Sequence, residues 1–100
     1  MDKQSFEQLT SLHPDWILDN DDPEIHSFRD GNYIIKKESL TPPIAEHYIV
    51  DNVENHIELH LSESGKRYMV LDRSNDEYPV LELLRVDEKE HEQIHLIAKS

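Results

Sequence analysis

The clearest pattern in the chain is at His56-Ile57-Glu58-Leu59-His60-Leu61, where polar and apolar residues alternate strictly. A period of two marks a half-buried strand, with Ile57, Leu59 and Leu61 on the core side and His56 and His60 pointing away from it. Ser62-Glu63-Ser64-Gly65 reads as a turn, and Arg67 to Asp72 as the returning strand. Ser74-Asn75-Asp76-Glu77 reads as a second turn. The nearly continuous apolar run from Val80 to Val86 then fits a central strand buried on both faces. Together these segments predict an antiparallel meander in the second half of the chain.

The first half begins with a helical pattern. Phe6, Leu9 and Leu12 share one helical face over residues 5–12, Ser5 is placed to cap the helix and Gln8 to complete a capping box. Pro14 disfavours helix at His13. Asp15-Trp16-Ile17-Leu18 reads as a short turn that docks Trp16, and residues 13–24 as a mobile, acidic loop. Asp30-Gly31, between Ile25-His26-Ser27-Phe28 and Tyr33-Ile34-Ile35-Lys36, is a strong hairpin signal.

Two segments admit either regular structure. Over 44–53, Pro43 suits the first position of a helix that places Ala45, Tyr48, Ile49 and Val53 on one face, while Tyr48-Ile49-Val50 favours a strand. Helix is the preferred reading there. Over 88–98, a strand pairs with 80–86, whereas a helix is capped by Asp87 and Glu90 and presents Ile94, Ile97 and Ala98. The expected fold is α+β: one domain over residues 1–100, with an N-terminal helix packed on a mainly antiparallel sheet of about four to six strands.

Charge changes the functional picture. Twenty-two acidic residues face ten basic ones, a formal net charge of -12 in 100 residues. That excess repels DNA, RNA and anionic lipid surfaces and favours a basic protein partner. Residues 1–30 carry 8 acids and 2 bases, residues 31–70 carry 6 and 4, and residues 71–100 carry 8 and 4. The two ends are thus the acidic parts, and their fields add if the fold sets them side by side.

Several classes of chemistry are excluded. With no Cys there are no disulfides, thiolate metal sites or Cys nucleophiles. Two Gly, neither in a Gly-rich run, leave no phosphate loop or dinucleotide fingerprint, and no Ser lies in a nucleophile elbow. No segment approaches the roughly 18 apolar residues of a membrane span. The N-terminal residues lack the layout of a secretion signal, so the cytoplasm is the expected location.

Two clusters are candidate sites. Asp19, Asp21, Asp22 and Glu24 place four carboxylates in six residues, but a calcium loop needs Gly where Glu24 stands. Their expected role is contact with Lys or Arg on a partner. His91-Glu92-Gln93-Ile94-His95 matches H-E-x-x-H and over those five residues resembles the zinc-metallopeptidase signature. On a helix His91 and His95 would ligate zinc and Glu92 would act as general base. No His, Asp or Glu follows to complete the ligand set, and on a strand the two histidines stand about 13 Å apart, too far for one metal. The expectation is a non-enzymatic protein-binding module without a cofactor, in the manner of an inhibitor, immunity protein or nucleic-acid mimic. The alternatives are a zinc-dependent hydrolase and a subunit that assembles through a sheet edge.

Overall fold

The computed structural model describes residues 1–18, 23–87 and 92–99. Helix α1 spans Lys3–Leu12 and is followed by eight strands: β1 (Asp15–Leu18), β2 (Ile25–Arg29), β3 (Asn32–Lys36), β4 (Ile44–Val53), β5 (His56–Leu61), β6 (Arg67–Asp72), β7 (Val80–Arg85) and β8 (Gln93–Ala98). Each strand pairs antiparallel with the next, and β1 pairs with β8, so the sheet closes into an up-and-down barrel.

This corrects the expected α+β fold, and three local misreadings account for the difference. Asp15–Leu18 is a strand, not a turn or part of a mobile loop, and it closes the barrel by pairing with both β2 and β8. Residues 44–53 form the long strand β4, not a helix. There Ile49 lies on the outer wall, 57% accessible, next to the inward-facing Tyr48 and Val50, so an exposed apolar residue imitated the apolar stripe of a helix. The stretch 93–98 takes the strand alternative, with Leu96 wholly buried. An eight-stranded barrel has no sheet edge, which removes the basis for assembly by edge pairing.

Strand register assigns the two faces. Trp16 lies opposite His26 and Ala98, Phe28 opposite Tyr33, Val50 opposite Leu59, Val70 opposite Leu83, and Leu81 opposite Leu96. Together with Ile57, the fully or nearly buried members of this set form one continuous core. The predicted alternation in β5 is present: Ile57, Leu59 and Leu61 are buried. The predicted hairpin is also present. Asp30 and Gly31 have φ of 53° and 76°, the left-handed pair that a tight turn between twisted strands requires.

The helix closes one end. Asp2, rather than Ser5, caps it: the Ser5 amide donates to Asp2 Oδ1 at 2.7 Å. Phe6, with no accessible surface, packs edge-on against Phe28 and Tyr48, with ring centroids 5.4 and 6.4 Å away. The helix leads into β1 at the end that also carries the β2–β3, β4–β5 and β6–β7 turns. The opposite end is a mouth, where the connections 19–24, 37–43, 62–66 and 86–92 join the strands.

Candidate binding site at the open end of the barrel

Beneath this mouth lies a cavity of about 410 Å³. Its walls include Leu18, Ile35, Ile44, Leu61 and Ile94, and its polar lining includes Glu24, His26, Tyr33, Glu46, Lys66, Tyr68 and Glu92. The antiparallel meander places these residues together because β2, β4, β6 and β8 begin at the mouth while β1, β3, β5 and β7 end there.

Two tyrosines anchor the polar side of the cavity. Tyr33 stacks on Phe28, with centroids 5.0 Å apart, and its hydroxyl meets Nδ1 of the buried His26. Burial raises the Tyr33 pKa well above the usual phenol value, so the hydroxyl keeps its proton. The phenol is the better donor and a neutral imidazole nitrogen the better acceptor, which assigns the proton in this contact to Tyr33. Tyr68 is also held protonated, by burial and then by the nearby Glu92 charge, and its hydroxyl donates to Glu92 Oε2 at 3.2 Å.

Around the rim the charges form a network. Arg85 Nε donates to Asp87 Oδ1 at 2.8 Å, and its Nη1 donates to Glu92 Oε2 at 3.3 Å. The Arg85 hydrogen bond is the main reason that the Asp87 pKa falls to about 2. Glu46 accepts from the Ser64 amide at 2.6 Å, and Lys37 lies 3.9 Å from Glu24. The electrostatic balance of this end is uneven. Among the described residues the four connections at the mouth carry five acids and two bases, and residues 1–14, 30–31, 54–55, 73–79 and 99 at the helix end carry six and three, so the sequence excess of the stretches 19–22 and 88–91 lies outside the described residues.

Of the four expected contact residues, one is placed by the structure. Glu24 lines the cavity, while Asp19, Asp21 and Asp22 lie outside the described residues. β1 and β8 are neighbours, so the end of β1 at Leu18 and the start of β8 at Gln93 lie at the same end of the barrel. The zinc motif has a different geometry from the one it needs. His91 lies outside the described residues, His95 sits within strand β8, and Glu92 immediately precedes it. Glu92 is bound to Tyr68 and Arg85, and His95 pairs in register with Glu82, 3.9 Å from its carboxylate. Among the described residues no group of three or more His, Cys, Asp or Glu is placed to hold a metal ion.

His26, Tyr33, Tyr68, Arg85 and Glu46 were not singled out in the sequence. A signal existed for the first two. Around the Asp30-Gly31 turn, His26 has the same strand parity as Phe28, and Tyr33 the same parity as Ile35, so a histidine falls on the core side of a hairpin. A separate cluster lies on the outer wall, where Glu58, only 9% accessible, is flanked by His56 at 3.4 Å, His60 at 3.2 Å and Arg67 at 3.9 Å. The strict alternation of β5 places these histidines away from the core, as expected, but their shared carboxylate partner was not foreseen.

The chain matches no protein-family model, no curated protein and no solved structure.

Proposed function

We propose that the protein is a non-enzymatic binding module that presents the acidic open end of its barrel to a basic protein. One observation carries this reading: β1 ends and the neighbouring β8 begins at the same end of the barrel, and the sequence that follows β1 and precedes β8, residues 19–24 and 86–92, holds eight acids and one base. A concentrated field of one sign accelerates encounter with an oppositely charged surface and makes association strongly salt-dependent. The same field disfavours nucleic acid and anionic membranes. An inhibitor, an immunity protein or a nucleic-acid mimic would each use a surface of this kind.

The zinc-hydrolase alternative lacks its helix, since His95 belongs to a strand. The arrangement of Glu92 with Tyr68 and Arg85 supports a structural role for that carboxylate at the rim.

The test is native mass spectrometry of the untagged protein, gently isolated from the cells that make it. It is paired with a variant in which Asp19, Asp21 and Asp22 become Asn and Glu24 becomes Gln. The expected result is a stoichiometric complex with a basic protein, whose association slows about tenfold or more in the variant at low salt. Equal association rates for the two forms at low salt would reject the β1–β2 connection as the contact.

A further inference from the structure

The geometry points to a second use of the open end: the cavity beneath the rim is a binding site for a small amphipathic organic cation, an amine with a compact apolar body. This goes beyond the protein-contact reading, because it rests on the cavity lining and not on the outer rim, and each can fail without the other.

Size and wall chemistry come first. A volume of about 410 Å³ lies within the range of small-ligand sites, roughly 300–1,000 Å³. Leu18, Ile35, Ile44, Leu61 and Ile94 supply an aliphatic wall for an apolar body. Eight-stranded barrels are just wide enough either to be filled by side chains or to hold one small ligand. Here the helix end is filled by Phe6, Phe28 and the aliphatic core, while the mouth end is not.

The polar lining then selects the head group. Tyr33 spends its hydroxyl hydrogen on His26, and Tyr68 spends its own on Glu92. A phenol whose hydrogen is committed retains only acceptor capacity towards a ligand. The carboxylates of Glu24, Glu46 and Glu92 are acceptors only, and among the described lining residues they outnumber Lys66, the other nitrogen-bearing groups being the neutral amide of Gln93 and the imidazoles of His26 and His95. Arg85, which would otherwise attract an anion, is engaged by Asp87 and Glu92. A carboxylate or phosphate ligand would meet acceptors and like charge. An ammonium group brings three N–H donors and the complementary sign.

The site is tested with three probes that share one apolar body and differ in the head: hexylamine, hexanol and hexanoate. Methylammonium serves as a control for charge alone. Binding is read from amide chemical shifts in ¹H–¹⁵N spectra and from the fluorescence of Trp16, the single tryptophan, whose register partner is the cavity residue His26. Hexylamine is expected to shift the amides of Leu18, Ile35, Leu61 and Ile94, to bind about fivefold or more tightly than hexanol, and to leave hexanoate without measurable binding. Glu92→Gln, which keeps an acceptor for Tyr68, is expected to weaken hexylamine about three- to tenfold and leave hexanol unchanged.

Hexanol or hexanoate binding as well as hexylamine would overturn the cationic assignment while leaving a ligand cavity. Methylammonium reproducing the hexylamine shifts would overturn the apolar site and leave only a charged rim. Absence of shifts at the cavity residues with every probe would overturn the inference entirely, and the protein-contact reading would stand or fall by its own test.

Discussion

At the scale of single residues, polar groups decide more than hydropathy suggests. Glu58 occupies a polar position in the alternating strand, yet it is nearly buried. Burial raises its pKa, but the hydrogen bonds with His60 and His56 and the charge of Arg67 outweigh that effect and hold the carboxyl below its ordinary value of 4.5. The folded state therefore binds this proton less readily than the unfolded chain. The resulting stability is present in full above the unfolded value and is lost as pH falls through the lower, folded value. Glu58→Ala should cost about 1 kcal/mol near neutral pH, and the difference from the parent should shrink as pH falls below the ordinary carboxylate value and through the lower, folded one. Urea unfolding of both proteins across that range checks this; a difference independent of pH would show that packing, not the carboxylate, is responsible. The alternation in 56–61 placed His56 and His60 correctly on the outer wall, but no periodicity reveals that a carboxylate between two histidines is covered by its neighbours. For His26 and Tyr33 the parity around the Asp30-Gly31 turn was a usable signal for the core side, but their diagonal contact across the hairpin emerges only with the register.

At the scale of elements, legibility followed how local the determinant was. The Asp30-Gly31 hairpin was readable because two adjacent residues in left-handed conformation suffice to specify it. The helix was readable from its apolar face, although Asp2 takes the capping role expected of Ser5. Strands β1 and β4 were misread because their conformation is set by partners distant in sequence. Four residues of β1 cannot announce a strand that exists through pairing with β8, and the exposed Ile49 of β4 blurred its period of two. The helix itself acts as a plug, and Phe6 is its anchor. Phe6→Ala should destabilise the protein by about 3–5 kcal/mol, the usual cost of emptying a wholly buried aromatic position. Chemical denaturation measures it directly; a loss below about 1 kcal/mol would mean that the helix does not seal the barrel.

At the scale of the whole molecule, the closed barrel converts an acidic sequence into a polar object, in the sense that its two ends differ. One end is capped by a helix and an aromatic cluster, and the other opens on a cavity lined by the carboxylates of Glu24, Glu46 and Glu92. The net charge was legible from composition, but its placement was not, because placement requires knowing that β1 and β8 are neighbours. The central claim is that this open end is the binding end. It is tested most directly by titrating the ¹⁵N-labelled protein with a short oligolysine peptide at low salt and following every backbone amide. The account predicts shifts concentrated at the mouth, around Leu18, Glu24, Glu46, Lys66 and Gln93, that fade as salt rises. Shifts spread evenly over the outer wall, or centred on the helix end, would contradict it.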